Sequence, residues 1–125
     1  MAGLRIIKQD GQSTNTFTES RIQQEIVRFY RNKYCLKHHF PRHVIASVPN
    51  DGKNYKEQSV KLQTGLMSGF SDLIVIRPNE TIYVEVKTYT GKQSPKQIEF
   101  ENTVTSLGFR YIIVRSLEEF KNKIQ

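Results

Sequence analysis

Tryptophan is absent from this chain, and cysteine occurs once, at Cys35. A lone cysteine excludes an internal disulfide framework and agrees with a reducing, cytoplasmic setting. No apolar run approaches the ~18–20 residues a membrane span needs, and the first residues lack the apolar core of a signal peptide. Glycine and proline are sparse, at 7 and 4 residues, and no internal repeat or low-complexity tract is visible, so collagen-like architectures are excluded. Acid is also missing locally, with none between Ile26 and Asn50. That stretch carries Arg28, Arg31, Lys33, Lys37 and Arg42, interleaved with Phe29, Tyr30, Tyr34 and Phe40. Basic groups neutralise phosphates and release counterions, and aromatic rings can stack on exposed bases. The alternative is a solvated basic face; charge alone favours a polyanionic partner and says nothing about chemistry.

What is present suits one domain spanning 1–125: 37% hydrophobic and 25% charged residues, with a net charge of +7. Residues 1–62 hold 11 basic and 5 acidic side chains, against 8 and 7 in residues 63–125, so the excess lies in the first half.

Periodicity predicts the elements. Residues 1–15 read as a polar arm or edge strand. A helix is expected over about Glu19–Tyr34, with Thr18 as N-cap and an apolar stripe of Ile22, Ile26 and Phe29; Glu25 stands beside that stripe. Val44–Val48 is a short strand, and 50–69 reads as a long basic loop containing Lys53, Lys56 and Lys61. Leu73–Arg77 and Thr81–Lys87 form a hairpin around Pro78-Asn79, for which a type I turn is expected. Ser94-Pro95-Lys96-Gln97 combines an N-cap serine, a proline at the first helical position and a capping-box glutamine. Phe100, Val104 and Leu107 make that helix's stripe, and Gly108 ends it. Phe109–Val114 is a strand, and Ser116-Leu117-Glu118-Glu119 opens a terminal helix. The order is α-β-β-β-α-β-α, an α/β fold with a mixed sheet flanked by helices.

Asp72 and Glu85 do not fit a bland strand pattern. Asp72 opens an apolar strand and Glu85 lies inside one, although charged residues are rarely buried unless paired or metal-bound. If Arg77 pairs with Glu80, Asp72 lies opposite Glu85 on the same face; a turn with an odd residue count would separate them. Two carboxylates that close repel unless a cation intervenes. Lys87 follows two residues later on the same face. Such a set suits Mg2+ or Mn2+ and metal-assisted hydrolysis. A solvated face with a Glu–Lys surface pair is the competing reading.

Gly69-Phe70-Ser71-Asp72, followed by Glu85-Val86-Lys87, resembles the split D…ExK signature of PD-(D/E)XK nucleases, with Ser71 where proline is usual. The segment Gly91–Gln97, the helix after it, Gly108 and Val114-Arg115-Ser116 resemble the VRR-NUC branch of that superfamily, over residues 18–120. Its short stand-alone members occur in phages and prophages. The resemblance implies a restriction-endonuclease-like α-β-β-β-α-β core with an extra C-terminal helix here. It also implies a Mg2+/Mn2+-dependent endodeoxyribonuclease, homodimeric and acting on branched DNA such as Holliday junctions. Asp72 and Glu85 then match the metal-binding acids, the Val86 carbonyl a further ligand, and Lys87 the catalytic lysine. Glu25 matches the supporting acid of the first helix, and Gln97 the helix glutamine near the active centre. Arg28, Arg31, Lys33, Lys37, Arg42, Lys53, Lys56, Lys61, Lys92, Lys96 and Arg115 are the expected nucleic-acid contacts. The rival reading is a non-catalytic basic nucleic-acid-binding module on the same fold. Cys35, His38, His39 and His43 lack the paired spacing of a structural zinc site.

Overall fold

A computed structural model describes residues 18–49, 60 and 63–125. The expected arm over 1–15 and most of the 50–69 segment, including Lys53, Lys56 and Lys61, lie outside the described residues. Where that segment is described it is helical at Val60 and Gln63, with the Thr64 N–H bonded to the Val60 carbonyl at 3.1 Å, and is therefore not all loop.

Helix α1 (Glu19–Tyr30) starts where Thr18 accepts a hydrogen bond from the Arg21 N–H. Its buried line is Ile22, Ile26 and Tyr30, not the expected Phe29. Phe29 is partly buried and meets Phe120 edge-on at 6.4 Å, while Tyr30 is fully enclosed. The difference is a 100° step around the helix, which spacing alone cannot resolve when both neighbours are aromatic. Beyond Tyr30 the expected α-helix widens into a π-helical stretch, Arg31–Cys35, and Tyr34 stacks on His43 at 4.7 Å.

Four strands follow in the sheet order β1-β2-β3-β4: β1 (Val44–Ser47), β2 (Leu73–Arg77), β3 (Glu80–Val86) and β4 (Arg110–Val114). The first two pairings are antiparallel, and β3 with β4 is parallel. Parallel neighbours need a crossover, supplied by α2 (Pro95–Ser106), whose complete Ser94–Gln97 capping box and first-turn proline begin it where the sequence indicates. The terminal helix α3 (Leu117–Ile124) starts at a Ser116 cap.

At the hairpin, Arg77 pairs with Glu80, so the even-turn condition holds. The turn differs from type I in that Asn79 has φ 61°; proline followed by a left-handed asparagine is the residue order of a type II turn. Glu80 accepts from Arg77 Nε at 2.9 Å and Arg110 Nη1 at 3.0 Å, tying β2, β3 and β4 together at this end.

One sheet face, with Leu73, Val75, Ile82, Val84 and Val114, packs on Ile22, Ile26 and Tyr30 of α1 and Phe120 and Ile124 of α3. Each such side chain contributes about 1.5–3 kcal/mol by burial. The other face carries Tyr83 and Tyr111 side by side, covered by Phe100 of α2 and by Phe70. Two apolar layers thus hold the strand ends near Asp72 and Glu85 rigid. The observed architecture is the expected α/β fold, a mixed sheet between helices with an added C-terminal helix.

Candidate active site

Asp72 sits one residue before β2, where the register carried on from Leu73–Val84 sets it across from Glu85. Its main-chain carbonyl accepts from Val48 N–H at 3.0 Å, and its carboxylate Oδ2 from Val86 N–H at 2.7 Å. The side chain thereby takes the place of a ladder carbonyl and is anchored between β1 and β3. Burial raises the Asp72 pKa; the Val86 N–H opposes that, while the charges of Glu19 and Glu85 add to it.

The loop entering Asp72 has little freedom. Gly69 has φ 82°, and a Cβ there would lie 2.3 Å from the Lys96 carbonyl oxygen, so the loop backbone rests directly on the start of α2. Phe70 packs on Phe100 with centroids 4.4 Å apart. Ser71, in place of the usual proline, is buried and donates to the Leu73 carbonyl at 3.1 Å.

Glu85 is 1% exposed. Its Oε1 accepts from Gln93 Nε2 at 2.9 Å and from the Tyr111 hydroxyl. Its Oε2 is buried and has no hydrogen bond; the nearest cation is Lys87 Nζ at 3.6 Å. Gln93 also donates to Glu101 at 3.0 Å, which links α2 to the site. Burial and the neighbouring Glu85 carboxylate both push the Tyr111 phenol well above its usual pKa, keeping it a donor. Lys87 is itself buried; a Cβ at Gly91 would lie 3.5 Å from its Cδ, so the stem runs beneath that loop.

One carboxylate oxygen is thus held by two donors, while the other is buried, lacks a hydrogen bond and has the Lys87 ammonium near it, at 3.6 Å. A buried acceptor left this way is costly unless something positive meets it. The donor set fits Mg2+ or Mn2+, which take oxygen ligands and keep several waters when bound through one or two carboxylates. Among the described residues no three His, Cys, Asp or Glu side chains form a group that could hold a metal ion, so the candidate donors are two carboxylates and a main-chain carbonyl.

The remaining expected residues are placed as follows. Glu25 lies on the flank of α1, with Oε2 3.9 Å from Arg21 Nε, whereas the α1 acid whose charge acts on Asp72 is Glu19. The only sequence cue is that Glu19 stands three residues before Ile22, in the exposed first turn of α1. Gln97 accepts from Ser94 N–H at 2.8 Å through its side-chain oxygen, closing the capping box at the edge of the site. Arg115 Nη1 donates to the carbonyls of Thr88 and Gly91 at 2.7 Å each, clamping the loop over Lys87. Lys92 and Lys96 are exposed, and Lys96 lies 3.6 Å from Glu99. In the basic segment, Arg28, Arg31 and Lys37 are exposed, Lys33 lies over the Phe29 and Tyr34 rings, and Arg42 Nε donates to the Cys35 carbonyl. The sequence assigns no site role to Gln93, Glu101 or Tyr111, since nothing local ties them to Glu85.

Comparison with known proteins agrees with this arrangement. The VRR-NUC domain model matches residues 17–118. Among solved structures, a protein described as "VRR_NUC domain protein" superposes with a TM-score of 0.70 at 19% identity, covering 87% of this chain and 86% of that one. No curated protein matches. With a family model spanning most of the residues and the same fold in a solved relative, the chain belongs to the VRR-NUC family of nuclease-type domains.

Proposed function

We propose that the protein is a Mg2+- or Mn2+-dependent DNA endonuclease that hydrolyses phosphodiester bonds, with branched DNA such as four-way junctions as substrate and a homodimer as the working form. The observation that carries the reading is the buried Glu85 Oε2, without a hydrogen bond, beside Lys87 and across from Asp72. Asp72, Glu85 and the Val86 carbonyl would hold the cation, with the Glu19 charge adding to the field there. When bound, the cation supplies Lewis-acid polarisation of the phosphoryl oxygen and makes water more acidic.

The chain's own groups do the rest. Lys87 carries three donors on a stem pinned under the Gly91 loop, so it orients the attacking water and steadies the negative charge growing on the phosphoryl oxygens. Tyr111 and Gln93 keep Glu85 from rotating, and Arg115 keeps the loop closed over Lys87. A twofold dimer would present two such sites to two strands of one junction.

The assay compares linear duplex, flap, single strand and four-way junction in Mg2+ and in Mn2+. Asp72→Ala and Lys87→Ala should each lower cleavage at least ~100-fold. Metal-dependent cleavage that survives either substitution rules out the assignment, and equal cutting of all four substrates rules out the junction preference.

A further inference from the structure

The described chemistry leaves a groove beside the site unused. It encloses about 650 Å³ between α1 and β1. One wall is the flank of α1, with Gln23, Val27 and Arg28, continued by Arg31 at the start of the π-helical stretch; the other is Ile45–Ser47 of β1. β1 ends the sheet, so among the described residues no strand pairs with its outer edge.

Two observations join the groove to the active site. Glu19 lines it and acts electrostatically on Asp72. Ser47 lines it too, and the next residue, Val48, donates its N–H to the Asp72 carbonyl. The helix rises about 1.5 Å per residue, so Arg28 and Arg31 stand about 13 and 18 Å along the groove from Glu19. Neither arginine has an acidic partner among the described residues, and the chain from Ile26 to Asn50 contains no acid.

We infer that this groove receives the stretch of substrate strand adjoining the scissile phosphate, as single-stranded nucleic acid, with two phosphates on Arg28 and Arg31. The inference rests on the nuclease reading and adds the path of the strand. The space suits a few nucleotides of one strand; it is the size of a small-molecule site, and a duplex, whose major groove alone is about 12 Å wide, does not enter it. Among the described residues no aromatic ring lines the groove, and its polar lining includes arginine and amide groups. Contact runs through phosphates and through the amide of Gln23, and is tolerant of sequence. A branched or frayed substrate offers a single strand next to its duplex, which ties the groove to the proposed substrate class.

The test is equilibrium binding by fluorescence anisotropy, in EDTA and over a range of salt, with a labelled flap DNA and a fully paired duplex of equal length. Arg28→Gln and Arg31→Gln alter exposed side chains. Each should weaken flap binding several-fold and reduce the slope of log affinity on log salt by about 0.7, the double variant by about 1.4. Duplex affinity should change less than twofold. Lys121→Gln removes one charge from α3, outside the groove, and should leave the flap slope unchanged. Equal losses on flap and duplex, or a Lys121→Gln effect as large as the arginine effects, overturn the inference. So does an unchanged flap slope in the double variant. Wild-type cleavage in Mn2+ is measured alongside: absence of cleavage with the arginine effects intact refutes the nuclease reading and with it the scissile phosphate, leaving the groove as a single-strand site only, and cleavage with no arginine effect refutes the groove and leaves the nuclease reading.

Discussion

Replacing Gly69 by alanine tests whether the backbone contact between the Asp72 loop and α2 holds the active site together. Two costs add. Gly69 has φ 82°, where an L side chain costs about 1–2 kcal/mol. The new Cβ would also fall 2.3 Å from the Lys96 carbonyl oxygen and 2.9 Å from the Gln97 nitrogen, both backbone atoms at a helix start. Relieving that contact requires a shift of about 1 Å, an overpacking cost of roughly 1–3 kcal/mol. The total is about 2–5 kcal/mol, within the roughly 5–15 kcal/mol a domain has, so the variant should still fold. Gly108 is the control: φ is 93°, yet no atom lies within 4 Å of a built Cβ, so alanine there meets only the backbone cost of about 1–2 kcal/mol. At roughly 4 °C per kcal/mol for a domain of this size, Gly69→Ala should lower Tm by about 8–20 °C and Gly108→Ala by about 4–8 °C, read by circular dichroism in EDTA. Function should separate the two further. Moving the loop by about 1 Å shifts Asp72 against Glu85, and misplacement on that scale costs up to ~100-fold in rate. Equal Tm losses and equal cleavage rates for the two variants would mean that the contact with Lys96 does not hold the Asp72 loop.

Two further outcomes follow from named contacts. Tyr111→Phe removes one of the two donors holding Glu85 Oε1; Mn2+ affinity measured by calorimetry should fall about tenfold while the circular dichroism spectrum stays unchanged. An unchanged affinity would show that Gln93 alone orients Glu85. Glu80 is held below the ordinary carboxylate range by hydrogen bonds from Arg110 and Arg77, so its stabilisation is complete above its unfolded pKa and is lost as pH falls through the depressed folded value. Glu80→Gln should therefore cost about 0.5–1 kcal/mol at pH 7 in chemical denaturation, the pair being partly exposed, with the gap to wild type closing in acid. A gap that persists unchanged at pH 2 would assign the loss to something other than ionisation.

Much of the fold was legible in the sequence because it is set by contacts within a few residues. The Thr18, Ser94 and Ser116 caps satisfy N–H groups three residues away, and the helical period placed Ile22 with Ile26 and Phe100 with Val104 on buried lines, although Tyr30 takes the place of Phe29 and Leu107 is exposed at the end of α2. The hairpin register follows from Pro78-Asn79, and with it the opposition of Asp72 and Glu85. The motif spacing carried the family as well. By itself, then, the sequence determined the element order and the mixed sheet, and it made the facing of Asp72 and Glu85 depend on one quantity, the parity of the turn, which the Arg77–Glu80 pairing resolves.

What surrounds those acids follows from the packing of distant segments. The resemblance pointed to Glu25 as the first-helix acid, whereas the packed fold brings the charge of Glu19 to bear on Asp72. Tyr111 reaches Glu85 because β4 lies parallel to β3, and Gln93 reaches it because the chain folds back before α2. Arg115 becomes a loop clamp for the same reason, its three carbonyl partners lying more than twenty residues earlier. The groove between α1 and the open edge of β1 also has no local signature. These features depend on how distant segments pack, and burial with strand order, not residue spacing, sets which polar atoms they leave paired and which they leave for a ligand.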